Sequence, residues 1–411
     1  MIVDTWRHWK YLHDGTAVRY WFWGLLLIAL INSFGRSWMW NYEWLWAMDT
    51  LAFSSVFLVP LCAGISAYEI GNLSKARDLH STSPRAVTSL LRIGALVWLA
   101  AVAVVMISAF AIGGRVYYQI HELPRASDFL SLLPLLTSLA IGCAVGILVG
   151  WFTSSRMTPG IVALGVFAII MAGYITGGRT SAALVSVGGA TGSLVGLRLS
   201  ISFLLWQCTF YLALTTAVLW VIKIRMDSVK RWHRGVTIAC ATLPLALALA
   251  VPNSGERFQR VPERNVVCSG SRPQICLANE YASQTSSIRA HLEPYFVAFS
   301  EAGIEKPSRV VQAGLQEQRD DLQVESLDLV TPDSQRIKGY LVTWLDRNGC
   351  STWGGDETDD PARVIWDWLG LRGEGSSTRV APNVDLRSMT AEQQNEALRN
   401  AVHQLEQCKQ R

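Results

Sequence analysis

Ala67-Tyr-Glu-Ile-Gly-Asn-Leu-Ser-Lys-Ala-Arg-Asp-Leu-His-Ser-Thr-Ser-Pro-Arg85 is a charged hinge between two long apolar runs, Trp44 to Tyr68 and Ala86 to Ile112. Each run has the roughly 20 residues that a helix needs to cross a bilayer core. Inside the hinge, Ile70, Leu73 and Ala76 recur every third residue, while Glu69, Lys75, Arg77 and Asp78 fill other positions. That pattern predicts a short amphipathic helix at a membrane surface, with a solvated turn as the alternative. Ser83 and Pro84 suit the N-cap and first position of the next helix.

Outward from the hinge, half of all residues are hydrophobic and only 17% are charged, more apolar than an ordinary soluble chain. The charge is uneven. Residues 1–252 carry 18 Lys/Arg against 9 Asp/Glu, net +9, and residues 253–411 carry 18 against 23, net −5. Basic loops facing anionic lipid account for the first part, and the acidic second part argues against a nucleic-acid-binding tail. The expected organisation is a transmembrane domain, 1–252, followed by a soluble domain, 253–411.

Seven spans are predicted: Tyr20 to Met39, Trp44 to Tyr68, Ala86 to Ile112, Phe129 to Phe152, Pro159 to Tyr174, Ser200 to Val221 and Val236 to Val251. Before them, Ile2, Trp6, Trp9 and Leu12 line one side of an interfacial helix in Met1 to Arg19. With the N-terminus on one side, twelve Lys/Arg, among them Arg7, Lys75, Arg77 and Arg234, share that side, against five on the other. The positive-inside rule then places the N-terminus in the cytoplasm, so that seven crossings leave the tail outside. The expected fold is an all-α multi-pass domain in the plasma membrane, followed by a small extracytoplasmic α+β domain.

Glycine recurs every fourth residue at Gly142, Gly146 and Gly150, and again at Gly188, Gly192 and Gly196. The first set predicts a seam where two helix backbones approach. The second lies in a stretch, Gly177 to Gly196, too interrupted for a span and expected as a re-entrant or surface element on the outer side, with a simple flexible loop as the alternative. It is not a phosphate loop, because no Gly-Lys-Ser/Thr follows at the required spacing. Asp49 is the acidic residue well inside a span, so it is a candidate for a substrate path or proton role, unless its nearness to Glu43 and the span end leaves it facing water.

Cys62, Cys143, Cys208 and Cys240 sit in apolar runs as small core residues. In the tail, Cys268, Cys276, Cys350 and Cys408 permit two disulfides in an oxidising compartment. Of the three possible pairings, Cys268 with Cys276 and Cys350 with Cys408 are expected, because the first closes a short loop and the second staples a C-terminal helix. Strands are expected at Val266 to Cys268, Ile275 to Ala278, Arg309 to Val311 and Val324 to Leu329. Helical stripes run through Ile288, Leu292, Tyr295, Phe296 and Phe299, and through Ile337, Leu341, Trp344 and Leu345. Thr390 with Gln393 forms a capping box, and the acidic run ending at Asp360 caps a helix starting at Pro361. No nucleophile-base pair, metal motif or cofactor motif stands out, so no catalytic residue and no cofactor is assigned.

This order of features resembles the ABC type 2 exporter permeases, the membrane halves of ATP-driven exporters. Met1 to Arg19 stands where that family has an interfacial helix, Glu69 to Ser83 where it has the coupling helix that touches the ATPase, and Gly177 to Gly196 where it has outer re-entrant helices. Ala67-Tyr-Glu69 and Ser83-Pro-Arg85, with the Cys-containing tail, look more narrowly like actinobacterial-type ABC permease-like membrane proteins. The resemblance covers residues 1–222, and the seventh span and external tail depart from the family's six-span pattern. It implies export powered by a separate ABC-type ATPase, contact through Glu69, Leu73, Lys75, Arg77 and Asp78, and pairing with the same or a second permease chain. The competing expectation is a non-transporting membrane-anchored envelope protein whose external domain binds a ligand or partner.

Overall fold

The computed structural model describes residues 16–36, 38–74, 85–153, 155–176, 184–226, 234–249, 257–261, 266–316, 318, 320–346, 360–373 and 386–407. The chain divides into two compact units, Met1–Gln259 and Arg260–Arg411. The first is helical: α1 (Thr16–Gly35), α2 (Trp44–Ala52), α3 (Ser55–Ser74), α4 (Arg85–Ile120), α5 (Leu132–Phe152), α6 (Thr158–Thr176), α7 (Ile201–Met226) and α8 (Arg234–Leu249). Strand β1 (Leu197–Leu199) pairs with β2 (Phe258–Arg260) at the unit's C-terminal edge. Five stretches among the described residues are long and apolar enough to cross a membrane: Trp44–Asn72, Leu90–Ile120, Ala126–Phe152, Thr158–Ile175 and Ile201–Ile224. Tyr20–Gly35 is a shorter apolar helix. The interfacial helix expected before Arg19 falls largely outside the described residues.

The second expected span is two helices. The chain turns at Phe53 and Ser54, where Ser54 N donates to Leu51 O at 2.9 Å and Val56 N to Phe53 O at 3.1 Å. Helix α4 runs on to Ile120, past the expected end, because Gly113 and Gly114 do not stop a helix whose other face is packed. Gly113 faces the Trp44 ring, and Ile112 and Val116 are fully buried.

Packing centres on α3. A Cβ added at Gly142, Gly146 or Gly150 of α5 would run into the carbonyl oxygens of Val59, Ala63 and Ala67 respectively. Both series advance by four residues in the same direction, so two parallel helices touch backbone to backbone over two turns, as the glycine spacing predicts. On another side, Gly64 lies under the Pro159 carbonyl of α6. Cys62 of α3 and Cys143 of α5 are free and buried.

The hinge departs from expectation. Residues 69–74 extend α3 instead of starting a surface helix, and Ile70 is fully buried against Leu90, Ile147, Trp151 and Ile222. Ala63, Ala67 and Ile70 continue one buried face at helical spacing, so the apolar stripe belongs to the bundle. Glu69 is half-buried, Leu73 lies in the last turn of α3, and Lys75, Arg77 and Asp78 fall outside the described residues.

The second unit is α+β. Strands β3 (Val266–Ser269), β4 (Gln274–Ala278), β5 (Arg309–Gln312) and β6 (Leu322–Val324) form one sheet in that order. β3 is antiparallel to β4, and β4, β5 and β6 are parallel. Cys268 and Cys276 stand opposite each other across β3 and β4 and form a disulfide. Cys350 and Cys408, the second expected pair, lie outside the described residues. Helix α9 (Thr285–Glu301) crosses from β4 to β5. After β6 come α10 (Ser326–Val330), α11 (Ser334–Leu345), α12 (Pro361–Gly373) and α13 (Ala391–Gln407). Both predicted apolar stripes are buried, and Phe299 stacks on Trp368 at 5.9 Å. Gln393 and Thr390 exchange the two capping-box hydrogen bonds, and Asp360 accepts from Ala362 N at the start of α12.

The strand expected through Leu329 stops at Val324, and residues 326–330 turn into α10. The reason is Asp328, fully buried, whose carboxylate accepts Arg336 Nε at 2.6 Å and Tyr340 Oη at 2.5 Å. Burial, then that hydrogen bond, then the Asp328 and Glu325 charges push the Tyr340 phenol above its ordinary value. A raised folded value contributes stability that is complete below the unfolded value near pH 10 and is lost as pH rises through the folded one. The unfolding free energy of the second unit, followed by denaturant titration at each pH, should therefore fall above about pH 10, and Tyr340→Phe should flatten that fall. An unchanged alkaline profile in Tyr340→Phe would contradict this.

Candidate functional site

The break between α2 and α3 holds the polar centre of the first unit. Ser186 to Gly196 runs past it as non-helical chain, and its backbone groups are taken by side chains from the helices. Gly189 N and Ala190 N donate to Asp49 Oδ2 at 2.9 and 2.8 Å. Leu194 N donates to Glu43 Oε2 at 2.7 Å, and Ser193 Oγ to Glu43 Oε1 at 2.5 Å. Trp46 Nε1 donates to Ala190 O, and Gln207 Nε2 of α7 to Ser186 O. Ser55 Oγ sits 3.4 Å from both N and O of Val187. Non-helical backbone inside a packed bundle must have its polar groups paired, and these side chains pair them.

Asp49 is fully buried, so the expectation that it faces water does not hold. Its second oxygen, Oδ1, lies 2.5 Å from Arg257 Nη2, an ion pair without hydrogen-bond alignment. Arg257 keeps 17% side-chain exposure. Its own carbonyl accepts Ser200 N at 2.8 Å, and Gln259 Nε2 donates to Ser200 Oγ, so residues 257–259 are tied to the start of α7. Asp49 thereby joins three pieces of chain: the end of α2, the 186–196 segment and the stretch after α8.

Glycine makes the approach possible. Gly188 and Gly189 have φ of 79° and 104°, a region costly for other residues. A Cβ at Gly188 would strike Asp49 O and Phe53 N, the backbone at the break itself. Gly192 meets nothing and Gly196 has φ of 72°, so this second glycine repeat is a set of turns and close approaches, not a helix face. Arg36, at the end of α1, lies with Cζ 4.0 Å over the Phe53 ring at the same place.

Of the residues singled out from sequence, the structure brings Asp49 into this centre. Glu69 and Leu73 lie far along α3, near its C-terminal end. The sequence alone did not reveal the roles of Glu43, Arg257, Gln207 and Ser55. A weak signal existed: Glu43 and Asp49, six residues apart, precede a stretch that cannot be helical and lacks partners of its own. Among the described residues no three His, Cys, Asp or Glu gather to hold a metal ion. With both carboxylates occupied by donors, the arrangement is suited to holding chain in place, and to releasing it as a unit. No family model, curated protein or solved structure matches the chain.

Proposed function

We propose that this chain is the membrane-spanning subunit of an ATP-driven exporter of the ABC type, working with a separate ATPase. The observation that carries this is the clamped 186–196 segment. It lies between the fifth and sixth predicted spans, at the end of the bundle away from the α3–α4 hinge, where exporter permeases carry re-entrant structure. Here the segment is non-helical. In this arrangement the N-terminus is cytoplasmic and seven helices cross the plasma membrane. The sixth and seventh crossings beyond the five long helices are α1, whose 20 residues span about 30 Å, and α8, with 16. The C-terminal unit, 260–411, then lies outside, consistent with its disulfide.

The hinge at 69–83 faces the cytoplasm and receives the ATPase. Because α3 runs unbroken from the clamp to Ser74, a push on its end is delivered along one helix to the Asp49 region. Single substitutions at Lys75, Arg77 or Asp78 are expected to weaken coupling modestly, since rim charges mainly steer. Leu73→Pro should do more, removing a helix hydrogen bond at a cost of about 3 kcal/mol. The test is co-purification with, and stimulated turnover of, an ATP-binding cassette subunit encoded beside this chain, at matched membrane levels. Absence of any ATPase partner, or turnover indifferent to Leu73→Pro, would favour the anchored envelope protein instead.

A further inference from the structure

We infer that the cleft between β6 and α11 in the C-terminal unit binds a small polyhydroxylated amine, the chemistry of an amino sugar. This stands independently of the transport reading. β6 is the edge strand of its sheet, and α11 lies beside it. Leu322 and Val324 point into the core, fully buried, so Gln323 and Glu325 take the exposed face, while Asp321 before them is itself buried. With Tyr340, Thr343 and Trp344 of α11 they line a cavity of about 290 Å³, at the lower end of the range for small-ligand sites and enough for one ring.

The lining selects the ligand. Among the described residues, no Lys, Arg or His is part of it. Asp321 is already compensated, accepting Arg309 Nε and Nη2 at 3.0 and 2.6 Å and Gln318 N at 2.7 Å. Asp328, behind Tyr340, is compensated by Arg336. Glu325 differs: it is exposed, makes no side-chain bond to the helix it precedes, and enters no ion pair among the described residues. One uncompensated carboxylate at the cavity calls for one ammonium group. The Gln323 amide and Thr343 hydroxyl each donate and accept, which suits ligand hydroxyls. Tyr340, half-buried, supplies ring surface for the apolar face of a pyranose and for the cation, while Trp344 is buried against Phe299. An anion would meet Glu325, and a wholly apolar ligand would strip water from the polar groups without replacing it.

The test uses the full chain in lipid nanodiscs, with D-glucosamine as the probe and D-glucose as its uncharged ring analogue. Saturation-transfer NMR reports contact, and titration reports affinity. Glucosamine, with its amine protonated, is expected to bind at least about tenfold more tightly than glucose, and Glu325→Gln to erase that margin, the loss of one charge-assisted hydrogen bond. Thr343→Val should weaken both sugars. Because Glu325 is exposed, Glu325→Gln leaves folding intact, checked by an unchanged melting temperature. No transfer to glucosamine at roughly 10 mM, or equal binding of the two sugars, would overturn the inference. So would glucosamine affinity unmoved by Glu325→Gln.

Discussion

Asp49→Ala is expected to cost the membrane unit about 3–5 kcal/mol, the loss typical of breaking a buried ion pair from one side. The variant leaves the Arg257 guanidinium without its partner, and it leaves Gly189 N and Ala190 N, whose hydrogen bonds now end on Oδ2, with none. Each unsatisfied buried donor alone costs about 1–3 kcal/mol. Arg257→Met should be milder. Its long apolar side chain can fill the same space, and the Asp49 carboxylate keeps both backbone donors. Removing both charges in Asp49→Ala with Arg257→Met should recover part of the loss, because the pair's net worth is small beside the cost of one stranded charge. Thermal unfolding of the four proteins in nanodiscs closes the double-mutant cycle. If Asp49→Ala melts with the wild type, the clamp contributes nothing and the 186–196 segment is held by packing alone.

Five of the seven expected spans were readable because long apolar helices announce themselves by length and composition, and the α3–α5 seam because small residues at four-residue spacing have few other uses. The break at Phe53 was not, since neither Gly nor Pro marks it. Pro60, which does read as a breaker, sits inside α3 without ending it. Neighbouring helices and side chains satisfy freed backbone groups in such bundles, so local punctuation loses its force.

The candidate site was half legible. An acidic residue within a span demands a partner, and that much follows from Asp49 alone. Which partner it takes is decided by the fold, because Arg257 and Gly189 come from distant parts of the chain. The hinge shows the opposite failure. Ile70 and Leu73 form a genuine helical stripe, but periodicity cannot say whether such a stripe faces lipid headgroups or the packed interior, and Ile70 is interior. In the second unit, Val324 to Leu329 was expected as a strand. The buried carboxylate of Asp328 needs two donors from α11, and the turn into α10 delivers it to them.

Gly146→Leu should prevent the membrane unit from folding, and even Gly146→Ala should destabilise it by about 2–3 kcal/mol. At this position the added Cβ runs into the Ala63 carbonyl oxygen and the Ser66 Cβ. A backbone oxygen in mid-helix has no rotamer to adopt, so relief requires moving α3 or α5 as a whole. Gly142 and Gly150 face Val59 O and Ala67 O in the same close contact, so separating the helices at Gly146 opens the seam over its full length. The movement cannot be absorbed on the far side of α3, where Gly64 already sits 3.0 Å, measured from its would-be Cβ, from the Pro159 carbonyl of α6. Gly165→Ala in α6 is the control: nothing lies within 4 Å of its added Cβ, and alanine is the better helix former by about 1 kcal/mol. Unfolding of the purified proteins in mixed micelles, followed by circular dichroism against denaturing detergent, should rank Gly165→Ala at or above wild type and Gly146→Ala well below it. Equal stability of the two alanine variants would mean that α3 and α5 are held apart by more than their backbones, and the seam would have to be redrawn.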